Sequence, residues 1–230
     1  MNSDYKVGDL IYDANIYDGM NTSMDDLQFY KRWLPKNKDA RILELCCGTG
    51  RLTLPIAKDG YDILDMCTGS GCIGITLAKK FPDSNVTGVD ISDKALAVAW
   101  KNKCNLDADN IDFIQSDLFA ALGADRRYDI IVSNPPYIPT KVIEGLQDEV
   151  RLHDPMLALD GTEDGLMFYR RITDKSGDYL KMNGYLCYEI GAEQAADVSD
   201  IMKQAGFKDI VVVKDLAGLD RVVMGRYNKE

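Results

Sequence analysis

The chain has 230 residues, 46% hydrophobic and 28% charged, with a formal net charge of -10. That is enough apolar material for a sizeable core in one domain with an N-terminal elaboration, and the negative balance argues against non-specific binding to phosphate backbones. No stretch approaches the roughly 18 to 20 apolar residues that a membrane span needs, and a single histidine, His153, excludes any scheme built on a histidine pair.

In chain order, the first strong pattern is Ile42 to Lys58, an apolar run that breaks into Gly48 and Gly50 before a second apolar stretch. The same strand, glycine turn and helix recurs from Ile63 to Lys79 at a fixed offset of 21 residues. Two copies are too few for a solenoid, which needs at least three units. In the second copy, Gly69 and Gly71 let the backbone pass close to a ligand, and the start of the following helix offers unpaired N–H groups. No P-loop Gly-Lys-Ser/Thr follows, so the turn is not read as a Walker site.

The next strand, Asn85 to Asp90, ends in an acid roughly 20 residues after the glycines, the spacing at which a carboxylate reaches ribose hydroxyls. A third strand, Ile111 to Asp117, ends in another acid. A fourth apolar run, Tyr128 to Ser133, opens into Asn134-Pro135-Pro136-Tyr137. Two prolines fix φ and remove two backbone donors, so this loop is stiff and presents carbonyls. The Asn134 amide oxygen and the Pro135 carbonyl can accept hydrogen bonds from a planar NH2 group, with Tyr137 or its neighbours stacking on that plane. Taken alone, the tetrapeptide is also compatible with a rigid strand-end turn, the less favoured of the two readings.

Beyond it, Glu149, Arg151, His153 and Asp154 suggest a polar loop, in which His153 is read as structural. Gly165 to Leu180 reads as a helix and Gly184 to Ile190 as a buried strand. Ala195 to Ala205 reads as an amphipathic helix stopped by Gly206. Asp209 to Lys214 and Arg221 to Arg226 read as a closing antiparallel pair. Strands alternating with helices imply a mostly parallel sheet covered on both faces. The cysteines at 46, 47, 67, 72, 104 and 187 fit no zinc spacing, and no metal site is expected. Without a signal peptide they read as reduced core thiols of a cytoplasmic protein.

The ordered set of motifs resembles the class I S-adenosylmethionine-dependent methyltransferases. From about residue 62 onward it is similar to the release-factor glutamine methyltransferases (HemK-like), which methylate the glutamine amide of a Gly-Gly-Gln loop. The matching pieces are Asp65 to Gly71, Gly88 to Ser92, Ser116 to Phe119, Ser133 to Ile138, Glu149 to Pro155, Asp164 to Arg170, Tyr188 to Gly191 and Lys214 to Arg221. The resemblance implies a Rossmann-like, seven-stranded α/β sheet with helices on both faces. It implies S-adenosylmethionine as cofactor and S-adenosylhomocysteine as product. The methionine part would lie on Thr68, Gly69 and Gly71, the ribose on Asp90 beside Ile91, and the adenine between Asp117 and Leu118. Asn134, which also borders the cofactor, would hold the substrate amide together with Pro135 and Pro136, with Tyr137 shaping its pocket; Asn134, Pro135 and Tyr137 are the expected catalytic set. A peptide-chain release factor is the implied partner.

Residues 1–61 depart from that pattern, because neither the family's helical N-terminal domain nor its Arg-Pro-Glu-Thr-type segment is present. Tyr12 to Tyr17 and Phe29 to Leu34 instead resemble the start of a different, small-molecule class of methyltransferase. The expected organisation is therefore chimera-like: an extra strand-helix unit in 1–61 and a catalytic domain in 62–230. Short right-handed connections favour the second copy for the central strand position. The first would lie at an edge, where exposed strand groups favour a homodimer. Two other functions stay open: methylation of an exocyclic amino group on a nucleic-acid base, which uses a similar clamp, and a folded chimera that binds cofactor weakly or not at all.

Overall fold

The computed structural model describes residues 60–147 and 155–228. The first glycine-turn copy, the edge-strand dimer expectation, Cys46, Cys47 and His153 all fall outside those residues.

Among the described residues seven strands form one sheet: β1 (Asp62–Met66), β2 (Asn85–Asp90), β3 (Ile111–Gln115), β4 (Tyr128–Ser133), β5 (Leu180–Glu189), β6 (Lys208–Lys214) and β7 (Asp220–Arg226). Their order is β3-β2-β1-β4-β5-β7-β6. The pairs from β3 through to β5 are parallel, and β7 runs antiparallel to both its neighbours. The second glycine-turn copy thus supplies the central strand, as its short connections predict. In β4 all six residues are buried, and in β1 only Asp62 is not. Burial on both faces is why these strands read as continuous apolar runs rather than alternating ones.

The helices are α1 (Cys72–Lys80), α2 (Asp93–Asn105), α3 (Thr140–Ile143), α4 (Met156–Leu159), α5 (Met167–Ser176) and α6 (Ala195–Gln204). The helix read from Gly165 to Leu180 is shorter than expected. Gly177 closes it, and Leu180 already belongs to β5, which begins before the Gly184 expected. The intervening Asn183 has φ 63, and the β4–β5 register shifts between Tyr128 and Ile130, so the early part of β5 has no clean strand pattern. α2 carried no sequence reading. Ser92 caps it, accepting from Ala95 N–H at 3.2 Å, but only Leu96 and Ala99 of its residues are buried.

One core cluster joins the sheet to α5 and α6 through Leu64, Met66, Ile131, Tyr169, Ile172, Leu186, Tyr188 and Val198. Tyr169 and Tyr188 are fully buried and meet edge to face at 5.0 Å. At the far end of the sheet, Lys181 Nζ bridges Asp62 at 2.6 Å and Asp129 at 2.9 Å, which compensates the carboxylate inside β4. The core-thiol reading needs correction. Cys187 is buried, but Cys72 opens α1 and Cys104 lies on the outer face of α2, and both are exposed.

Candidate active site

The carboxyl ends of β1, β2, β3 and β4 lie along one edge of the sheet. The strand order reverses between β1 and β4, the place where open α/β sheets bind ligands. All the residues expected to form a site lie at or just after those strand ends, so the topology brings them to one edge of the sheet.

The glycine turn is held from below. Thr68 N–H donates to Val89 O at 2.9 Å, and Gly71 N–H closes the turn onto Thr68 O at 2.9 Å. Asn102 Nδ2 on α2 donates to Ser70 O at 3.0 Å. Gly71 has φ 86, a conformation that favours glycine, and a Cβ there would also crowd Ile75 Cδ1 at 2.7 Å. Gly69 has φ 57 with open space where a Cβ would project. Thr68 is buried, and its hydroxyl is donated inward to Asp65 Oδ2 at 2.5 Å rather than toward the crevice.

Asp65 lies beneath the turn and is fully buried. Its Oδ2 also accepts Gly74 N–H at 2.8 Å, so it satisfies one of the donors at the start of α1. Among the described residues its Oδ1 makes no hydrogen bond. Burial pushes this carboxyl up to about 7; the bonds from Thr68 and Gly74 oppose the shift, and the nearby Asp90 charge adds to it. Cys67, with φ 61, is raised to about 12, chiefly by burial and then by the Asp90 charge. A thiol held protonated in this way is no nucleophile.

Asp90 joins the turn to the end of β2. Its Oδ2 accepts Gly69 N–H at 2.8 Å and its Oδ1 accepts Ser92 N–H at 2.9 Å. Each oxygen retains a lone pair for another donor. Ile91 is 49% exposed, and its carbonyl accepts from Gln115 Nε2 at 3.1 Å. Ser116 N–H donates to Asp90 O at 2.9 Å. Beyond it, Asp117 makes an ion pair with Arg171 of α5, in which Nη2 lies 3.0 Å from each carboxylate oxygen. Leu118 takes a left-handed conformation with φ 50 and buries its side chain in the core.

The clamp follows β4. Ser133 is fully buried, and its hydroxyl donates to Met66 O at 2.7 Å, tying the end of β4 to the end of β1. Asn134 is exposed, Pro135 and Pro136 are buried, and Tyr137 is half-buried. An exposed amide on a buried, proline-fixed base is a preorganised hydrogen-bonding group. The Tyr137 backbone is packed by two glycines: a Cβ at Gly161 would come within 2.8 Å of Tyr137 Cα and C, and one at Gly165, which has φ 73, would fall on the Tyr137 carbonyl oxygen.

The structure adds roles that the sequence did not assign. Gln194, at the start of α6, donates to Tyr137 O at 3.0 Å. Arg171 anchors Asp117, and Asp65 supports the glycine turn. Among the described residues no His, Cys, Asp and Glu cluster has a metal-holding arrangement, and no helix is long and apolar enough to cross a membrane.

The family described as the methyltransferase small domain matches residues 57–146. The chain is 46% identical over 165 residues to the release factor glutamine methyltransferase of Fusobacterium nucleatum subsp. nucleatum, covering 72% of this chain and 47% of that protein. It is 46% identical over 164 residues to the enzyme of the same description from Geobacter sulfurreducens, covering 71% of this chain and 57% of the relative. The chain thus spans about half the length of these curated relatives. In structure it is similar to ribosomal protein L11 methylase from Lactobacillus delbrueckii subsp. bulgaricus, with a TM-score of 0.56, 19% identity, and coverage of 85% of this chain and 88% of that one. The described residues therefore form a class I, Rossmann-like methyltransferase fold, with the match to the methyltransferase small domain running across its first four strands and sequence similarity to the release factor glutamine methyltransferases over 165 residues of the chain.

Proposed function

We propose that this chain transfers a methyl group from S-adenosylmethionine to an amide nitrogen, the glutamine side chain of a peptide-chain release factor, and that residues 62–230 carry this activity. The observation that carries the reading is Asn134, exposed on a buried Pro135-Pro136 base, at the strand end beside the glycine turn and Asp90.

The site suits the cofactor. The space above Gly69 is open, Asp90 is oriented by two backbone N–H groups yet keeps acceptor capacity, and Ile91 leaves an apolar side chain exposed next to it. Gly69 and Gly71 would hold the methionine part, with Thr68 shaping the turn from below. Asp90 would bind the ribose hydroxyls, and Ile91, Asp117 and Leu118 would border the adenine. When bound, S-adenosylmethionine supplies an electrophilic methyl group and becomes S-adenosylhomocysteine.

The chain's own contribution is placement. The Asn134 amide oxygen and the Pro135 carbonyl accept hydrogen bonds from the substrate NH2, which fixes its plane and raises the electron density on a poor nucleophile. Tyr137 shapes the pocket wall. The nitrogen lone pair forms the new N–C bond as the sulfonium C–S bond breaks, and the amide proton then leaves to solvent, so no strong general base is needed. Positioning and exclusion of water supply most of the rate.

Transfer of labelled methyl from S-adenosylmethionine tests the reading, with intact release factor, release factor lacking the acceptor glutamine, and nucleic acid as substrates. Label on the first alone supports it. Label on nucleic acid alone would replace it with an exocyclic amino-group methyltransferase, a reading the net charge of -10 argues against.

A further inference from the structure

Gln194 stands at the N-terminal end of α6, 57 residues from the clamp it touches. Its Nε2 donates to Tyr137 O at 3.0 Å and lies 3.3 Å from Gly165 O. Its Oε1 accepts Gly191 N–H at 3.0 Å and lies 3.5 Å from the Tyr169 hydroxyl, whose shorter bond goes to Glu189 O at 2.9 Å. One primary amide thus serves two carbonyls with its donors and one backbone N–H with its acceptor. Among side chains, asparagine and glutamine alone combine those groups, and only glutamine has this reach.

Three segments converge on it: the clamp after β4, the loop through Gly161 and Gly165, and the turn between β5 and α6. Pro135 and Pro136 have no N–H, so the clamp has few donors with which to hold itself. Its anchors lie at its ends, with the Ser133 hydroxyl on Met66 O before it, and Ile138 N–H on Leu159 O at 3.0 Å and Gly161 N–H on Ile138 O at 2.9 Å after it. Gln194 grips the carbonyl between those anchors. Glycines at 161 and 165 allow the loops to close around that point, and a Cβ at Gly191 would come within 3.0 Å of Gln194 Oε1.

We propose that Gln194 is the positioning residue of the clamp: through Tyr137 O it sets the path of residues 134–137, and so the direction in which Asn134 and Pro135 present their acceptors. Its catalytic consequence rests on the methyl-transfer reading above. Its structural consequence does not.

The test uses Gln194→Glu and Gln194→Leu, read by amide hydrogen exchange and by methyl-transfer kinetics. An ionised glutamate keeps the acceptor toward Gly191 but faces two carbonyls with no donor. The expected result at pH 8 is faster exchange at Ile138 and Gly161, unchanged exchange in β1, unchanged cofactor affinity, and a kcat lower by roughly 100-fold. As pH falls and the glutamate protonates, its O–H can donate to Tyr137 O. Gln194→Glu should then regain protection relative to wild type at the same pH, and Gln194→Leu should not. Exchange at Ile138 and Gly161 that matches wild type in both variants would overturn the proposal, whatever happens to activity. Loosened exchange in the variants, with a wild-type protein that methylates no release factor, would uphold the positioning role and sink the proposed substrate instead.

Discussion

Gly69 and Asp90 are 21 residues apart in sequence, yet the Gly69 N–H donates to Asp90 Oδ2 at 2.8 Å. The carboxylate expected to meet the ribose therefore also fixes the glycine turn expected to meet the methionine part. One change at this position acts on both halves of the cofactor site. Asp90→Asn keeps the shape but replaces one acceptor by an NH2 group, so either Gly69 or Ser92 loses its partner. Cofactor affinity should fall roughly 10- to 100-fold, the weight of a hydrogen bond to a charged group, as read by calorimetric titration.

Asn134→Ala should separate binding from chemistry. The side chain is exposed, so thermal stability and cofactor affinity should stay close to wild type. Removing an acceptor that positions the nucleophile should lower kcat by roughly 100-fold or more. Full activity in this variant would refute the clamp assignment.

Asp65 gives the protein a pH dependence of definite sign. Its folded value, about 7, lies above the ordinary 3.8, so the native state holds a proton that the unfolded chain has released. This stabilises the fold at low pH; the contribution shrinks as pH rises from about 4 to about 7 and is gone above that. The whole change is on the order of 4 kcal/mol. Asp65→Asn can still accept from Thr68 and Gly74 and has no such titration. Its melting temperature relative to wild type should therefore climb between pH 5 and pH 8. A difference independent of pH would mean that Asp65 is charged throughout.

Gly165→Ala should damage the clamp from behind. The residue has φ 73, and the added Cβ would fall on the Tyr137 carbonyl oxygen. A left-handed non-glycine residue costs roughly 1–2 kcal/mol before any clash, so the melting temperature should drop, and kcat should fall further than the stability loss explains. Gly69→Ala makes the comparison: it has similar strain from φ 57 but open space, so its principal effect should appear in cofactor binding.

Much of the sheet was legible because its central strands are buried on both faces. β4 and β2 keep the bounds read from sequence, since each is a strand-length segment rich in β-branched residues and bounded by polar or turn-forming residues. The carboxyl-end motifs were legible for a related reason: glycines, an acid and two prolines mark where each strand stops. α2 was not, because Val98 and Trp100 are exposed while only Leu96 and Ala99 are buried, which erases the helical period. The first residues of β5 were hidden by the left-handed Asn183 and the shifted register beside it. Gln194 and Arg171 act through contacts made only once the chain is folded, on partners more than 50 residues away. A single polar residue on a helix carries no local trace of such a bond.

The placement of β7 has a consequence for synthesis. β6 is made before β7 but, among the described residues, pairs only with it, and β7 lies between β6 and β5. Until Asp220–Arg226 have emerged and inserted, β6 has no ladder to join and β5 presents an unpaired edge behind the clamp. Packing of α6 on β7 waits on the same event, and α6 carries Gln194 at its start. A nascent chain halted before Asp220 would thus carry the glycine turn, Asp90 and Asn134 in a sheet open to pairing with other chains. The sticky interval lasts until β7 is made, even though the residues proposed for the chemistry are encoded well upstream.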